Sequence, residues 1–238
     1  MPHSDLRLRA VGVVPGIPPG NEPDPIPLSP EDRAELVHLA QIITYKAAGS
    51  LIYAQGDTAT HSFLLADGLV RISHTLADGE RQIVAFHWPG DLLGLAPEGR
   101  YINAAETIGP ARLYRFQRQE LAAFLLQNPR IQNGFLVKAT HDLRALQRQL
   151  IVLGRYDISR RLAVFLLDCA AHSCYFNAAD AILTLPMSRD DIADYLGTSA
   201  ETITRSLARL ESEGQIERLT ARRLKLSPER LSAGLTLD

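Results

Sequence analysis

Between Met187 and Leu210 the chain places a small residue at Ala193, a glycine at Gly197 and a β-branched residue at Ile203, and few folds accept that spacing. Ser188 stands where a helix cap is needed, with Asp191 three residues on in a near capping-box arrangement. Gly197 supplies the positive φ of a tight inter-helix turn. Ser199 caps a second helix, on which Ile203, Leu207 and Leu210 share one inward face. A small residue at 193 lets the two helices cross closely. The pattern predicts a helix-turn-helix.

The other face of the second helix carries Glu201, Thr204, Arg205 and Ala208 at i, i+3, i+4 and i+7. These side chains suit base edges. Arg205 can bond guanine O6 and N7 bidentately, Glu201 can accept from a cytosine amino group, and Thr204 can meet a thymine methyl. Ser188, Thr198, Ser199 and Arg209 are placed to touch phosphates, which fixes register without reading sequence. Residues 214–218 and 222–226 then read as two short strands around a turn, a wing on which Arg222 and Arg223 add phosphate contacts. The plain alternative for Glu201 and Arg205 is a surface ion pair worth a few tenths of a kcal/mol, roughly. The helix-turn-helix frame and the basic wing favour double-stranded DNA as the partner.

Upstream, the patterning changes twice. Residues 1–28 are rich in Pro and Gly and predict an arm without a stable helix or central strand. Ser29-Pro30-Glu31-Asp32 predicts a helix start, with the helix running to about Ile42. From Ile43 to Phe116 short apolar segments (50–54, 62–65, 69–74, 82–87 and 112–116) alternate with Gly-containing turns. Asp67-Gly68 and Asp78-Gly79 are strong hairpin signals, and the run predicts a small antiparallel roll or jelly roll. Helical periodicity returns near Gln119, and a helix over 129–153 would span about 37 Å. On it Leu143, Leu146, Leu150 and Leu153 form a narrow seam suited to pairing with a second copy, with Arg144, Gln147 and Arg148 on the other face. A further helix is expected over 157–174. The domain reading is therefore an arm (1–28), a β-roll sensor (29–125), a dimerisation helix (126–155) and a winged helix-turn-helix (156–238), in the α+β class.

Composition excludes several alternatives. A net charge of −2 gives no bulk attraction to nucleic acid, so any DNA contact must come from local patches. There is no apolar run of membrane-spanning length and no signal-peptide order, which points to the cytoplasm and to no membrane partner. No P-loop, metal-spaced His/Glu motif or nucleophile motif is present, so no catalytic residue and no metal ligand is nominated and an enzyme is not expected. Cys169 and Cys174 are too few for a four-thiolate cluster, and the reading for both is structural, with redox sensing the minority alternative.

In this order and spacing, Gly49 to Asp57, Gly68-Leu-Val-Arg71, Pro89-Gly-Asp-Leu-Leu-Gly94 and Leu185 to Ile216 resemble the family of the cyclic-AMP receptor protein and FNR, over roughly residues 32–230. The resemblance implies a β-roll sensor, a dimer helix and a homodimer on palindromic DNA, with RNA polymerase as a protein partner. Glu201, Thr204 and Arg205 fall on the family's base-reading positions. They are similar to the FNR/FixK branch, whose half-sites centre on TTG and which ordinarily has Ser at the place of Thr204. For the sensor, Asp91 falls at the ribose-binding acid position of cyclic-nucleotide members and Arg100 near the phosphate position, so these two are the candidate effector contacts. However, Tyr101-Ile102 and Leu146-Gln147 replace the small residues and the Thr-Ser of the cyclic-AMP sensors. The FNR cysteine cluster is missing. His74, His87 and His141 are the candidate haem ligands. The leading expectation is a FixK-like regulator with no cofactor, controlled by its abundance or by an unrecognised small molecule. The alternatives are a cyclic-nucleotide- or haem-responsive regulator, and a nucleotide-binding signalling module acting through protein contacts.

Overall fold

The computed structural model describes residues 29–96 and 98–235, so the expected arm at 1–28 lies outside the described residues. Two compact units meet in sequence at His141 and Asp142.

The first unit opens with α1 (Pro30–His38), capped by Ser29 and Asp32 in a full capping box. The helix stops four residues short of the expected Ile42. Ile42, Ile43 and Thr44 are β-branched and instead form β1 (Gln41–Tyr45), paired antiparallel with β8 (Ala111–Gln117). Beyond the five expected segments, the roll gains β1, β6 (Leu92–Leu93) and β7 (Ala104–Thr107). The other strands are β2 (Leu51–Tyr53), β3 (His61–Asp67), β4 (Val70–Thr75) and β5 (Arg81–His87). They make two four-stranded sheets, ordered β1-β8-β3-β6 and β2-β7-β4-β5. Alternating inward side chains fill the roll, among them Tyr53, Phe63, Leu65, Val70, Ile72, Ala105 and Leu113. A second apolar cluster joins Leu36, Leu92, Phe116, Leu121 and Ile131 beneath α1, α2 (Arg118–Gln127) and the start of α3 (Pro129–Arg155).

The Asp67-Gly68 turn shows why glycine stands there. Gly68 has φ +93°, and a Cβ would lie 2.5 Å from the Pro110 carbonyl oxygen and 2.8 Å from Ala111. Both obstacles are backbone, so neither can swing aside. Gly68→Ala is expected to destabilise the roll by about 2 kcal/mol, read as a lower urea midpoint at unchanged slope.

On α3 the seam residues Leu143, Leu146 and Leu150 are 56%, 52% and 70% exposed in the single chain, while Leu153 is half-buried. Leu136 and Ala139 continue the same three-four alternation toward the helix start and are exposed too. Arg144 and Gln147 lie on the solvent side as expected, but Arg148 does not. It is 8% exposed and ion-paired to Asp168, because the helix side opposite the seam packs inward there.

The second unit continues with α4 (Ile158–Ala170), capped by Asp157. It ends four residues before the expected Cys174, where the chain turns into β9 (Phe176–Asn177) and β10 (Ile182–Thr184). Then come α5 (Arg189–Leu196), α6 (Ala200–Ser212), β11 (Ile216–Arg218), β12 (Arg223–Leu226) and α7 (Pro228–Ala233). The wing strands join a sheet ordered β11-β12-β10-β9. No described helix is long and apolar enough to cross a membrane.

Candidate nucleic-acid interface

The helix-turn-helix is built as its residues dictate. Ser188 and Asp191 cap α5 reciprocally, and Gly197 ends it at φ 69° in the left-handed region. The Ser199 hydroxyl accepts from the Thr202 N–H and starts α6. Ala193, Ile203, Leu207 and Leu210 are all buried. That burial turns the remaining side of α6 outward, and Glu201, Thr204, Arg205 and Ala208 are exposed on it.

The exposed groups are lightly restrained. Arg205 lies 3.8 Å from Glu201 and donates to the Thr202 hydroxyl at 3.2 Å. Both partners are exposed, so the pair contributes little and can reopen toward a base. The Thr204 hydroxyl donates to the Ala200 carbonyl at 2.9 Å, which leaves its methyl and an acceptor lone pair for a partner.

The expected phosphate contacts separate into two groups. Thr198 and Ser199 stand at the start of α6, where backbone N–H groups and the helix dipole favour an anion. Arg222 is exposed beside α5, donating to the Pro186 carbonyl at 3.3 Å. Ser188, in contrast, has its proton committed to Asp191 Oδ2 at 2.9 Å and so has no donor for a phosphate. Arg209 is paired with Glu213 at 2.9 Å, on a pocket it shares with Asp157 and Leu235. Arg223 is exposed and lines a different surface, with Tyr175 and Thr184.

Two basic residues of the site were missed in the sequence. A groove of about 370 Å³ runs beside α6, lined by Arg189, Thr204, Leu207, Glu211, Arg218, Thr220 and Ala221. Arg189 donates to the Ala221 carbonyl at 2.6 Å, tying α5 to the wing turn. Burial first, and then the Arg218 and Arg222 guanidiniums, push Arg189 below its ordinary value, so three cations share one field. Arg218 pairs with Glu211 at 2.6 Å and docks β11 on α6. Arg189 directly follows a recognised cap, but only the wing's return brings Arg218 and Arg222 to it.

The candidate effector contacts are not brought together. Asp91 Oδ1 pairs with Lys138 Nζ at 2.7 Å, and Oδ2 accepts from the Trp88 N–H at 2.8 Å and lies 3.4 Å from His87 Nδ1. Arg100 is exposed and donates to the Gly56 carbonyl at 2.7 Å. Neither lines the roll's cavity of about 200 Å³, whose walls include Tyr53, Ile72, His87, Leu93, Tyr101 and Ile102. Tyr53 and Tyr101 stack there with centroids 4.0 Å apart, and their hydroxyls are engaged with Gly94 and His61. These residues do not fit a cyclic nucleotide, because the acid is already paired, the arginine is turned to a loop carbonyl and aromatic rings fill the space. Of the nominated histidines, His74 has both ring nitrogens engaged, with Asn103 and Gln55. Among the described residues no group of three or more His, Cys, Asp or Glu could hold a metal ion. Cys169 is buried and Cys174 exposed, and burial raises the Cys169 thiol well above its ordinary value, against thiolate chemistry.

The Asp91 cluster gives a pH prediction. Burial alone would raise the Asp91 carboxyl, but His87 and Lys138 together hold it well below the usual range. A depressed carboxyl contributes stability above its unfolded value, near 4, that is lost as pH falls through the folded one. Asp91→Asn leaves Lys138 buried without its anion and should cost about 3 kcal/mol at pH 7. The gap between the two proteins in urea should narrow by pH 3.

Comparison with known proteins gives the same assignment. Residues 160–233 match the Crp-like helix-turn-helix domain, and residues 44–128 match the cyclic nucleotide-binding domain. The chain is 33% identical over 206 residues to the transcriptional activatory protein AadR of Rhodopseudomonas palustris, covering 87% of this chain and 86% of that protein. It is 37% identical over 181 residues to the nitrogen fixation regulation protein FixK of Azorhizobium caulinodans, covering 76% and 73%. Among solved structures, FixK2 from Bradyrhizobium japonicum superposes with a TM-score of 0.75 at 31% identity, over 84% of this chain and 98% of that one. Such relatives are DNA-binding regulators and not enzymes. With its nucleotide-binding-like roll, long helix and winged helix-turn-helix, the chain belongs to the Crp/Fnr family of transcription regulators.

Proposed function

We propose that this regulator acts in the cytoplasm as a homodimer, paired through Leu143, Leu146, Leu150 and Leu153, and reads a palindrome of TTG-like half-sites with Glu201, Thr204 and Arg205. The observation that carries this is the exposed, lightly restrained face of α6 beside the Arg189, Arg218 and Arg222 cluster. Two-fold symmetry sets the two α6 helices on half-sites one turn of DNA apart. Thr198, Ser199 and Arg222 hold the backbone while α6 reads bases. RNA polymerase is the protein partner by kinship. A gel shift tests the reading: the palindrome should bind at least about 10³-fold tighter than scrambled DNA. Equal affinity for both would overturn it. Arg222→Ala should weaken binding to all sequences alike and lower the salt slope by about 1.

The roll works in this reading without a cyclic nucleotide or haem. Support comes from the Tyr53–Tyr101 stack and from Asp91 being held by Lys138 and His87. Control then rests on protein abundance or on a different small molecule. Cyclic AMP should leave the melting temperature unchanged, and a rise would contradict this, because a ligand selective for the folded state raises it.

A further inference from the structure

Two arginines tie α3 to the helix-turn-helix, and neither lies on the base-reading face. Arg161, near the start of α4, donates from Nη2 to the Leu153 carbonyl at 2.7 Å and from Nε to the Tyr156 carbonyl at 2.8 Å. Its Nη1 reaches the Leu196 carbonyl at 3.3 Å. Leu153 is in the last turn of α3, and Leu196 is the last residue of α5. Carbonyls at a helix end lack intrahelical donors and carry partial negative charge. One planar guanidinium therefore satisfies two helix ends and the link between them, and its rigid fork fixes their mutual angle.

The second brace is Arg148. It is 8% exposed on α3, and its Nη2 meets Asp168 Oδ2 of α4 at 2.5 Å. Its Nε and Nη1 are buried and find no acceptor among the described residues. The Asp168 contact thus compensates this buried charge, and losing it leaves a penalty that a shifted α4 would relieve. From α4 the connection passes to α5 through Phe165, whose ring lies 5.6 Å from that of Tyr195. The Tyr195 phenol is raised by burial first and then by the Asp168 carboxylate, which sets it inside the same charge network.

We propose that Arg148 and Arg161 are positioning residues that hold α6 at a fixed angle to α3 and so set which half-site spacing the dimer accepts. This rests on the reading of a dimer on a palindrome given above. In a two-fold assembly the separation of the two reading helices follows from the α3–α4–α6 geometry of each copy. One inserted base pair moves a half-site by about 3.4 Å along the duplex and turns it by roughly 34°. A rigid brace rejects that change, and a loose one accommodates it.

The test is a competition gel shift with the full chain. The duplexes carry the palindrome at its best spacing, the same half-sites with one or two base pairs added or removed, and one half-site alone. The wild-type protein should discriminate sharply among spacings. Arg148→Gln and Arg161→Gln should each reduce that discrimination by about tenfold while the base preference within a half-site stays as it was. Asp168→Asn, which keeps the side chain's shape and removes its charge, should do the same and serves if either arginine variant fails to fold. A purely structural role would lower the melting temperature and leave the spacing profile intact, and that result overturns the proposal. A wild-type protein indifferent to spacing would instead sink the palindrome reading, and this proposal with it.

Discussion

Carrying Leu146→Asp and Leu150→Asp together, the protein should run as a folded monomer and lose at least about 10²-fold in affinity for its palindrome. The basis is the exposure of these leucines, 52% and 70% in the single chain, on a seam that alternates three and four residues apart. Burying a leucine contributes about 1.5–3 kcal/mol, and two chains gain that at every rung of the seam. An aspartate in the same place must be desolvated against its symmetry mate, which reverses the sign. Because the positions are exposed in the monomer, helical content and the core of each unit should survive. Sedimentation velocity and circular dichroism read the two halves of this prediction. A DNA-binding dimer from the double variant would place the interface elsewhere.

Arg205→Ala is expected to have the second large effect. A bidentate arginine–guanine pair discriminates by about 1–3 kcal/mol, and a dimer uses two. Affinity for the palindrome should therefore fall by about 10²-fold or more, with little change on scrambled DNA. The melting temperature should hold, since Arg205 is exposed and its ion pair with Glu201 is a long one at 3.8 Å. The asymmetry between specific and scrambled DNA is the informative part. An equal loss on both would make Arg205 a phosphate contact.

The helix-turn-helix was legible because local chemistry decides it. Ser188, Gly197 and Ser199 write the caps and the turn, and Ile203, Leu207 and Leu210 write the buried face. The long helix was legible through its leucine period. What stayed hidden depends on distant partners. β6 has two residues and exists because it pairs with Phe63 and Leu64. β9 and β10 form because the wing strand β12 returns to pair with β10. Arg148 belongs by spacing to a solvated face, and only the packing of α4 draws it inward. Asp91 sits at a family position for an effector contact, yet Lys138, 47 positions later, takes its carboxylate. Arg189 and Arg218 join the basic cluster by the same kind of return.

The most direct check of base reading by α6 is dimethyl sulfate protection on the bound palindrome. That reagent methylates guanine N7, the atom the Arg205 guanidinium would cover together with O6. Wild-type protein at saturation should protect the half-site guanine, and Arg205→Ala should leave it reactive at equal occupancy. A guanine equally reactive with and without bound wild-type protein would contradict base reading by this helix.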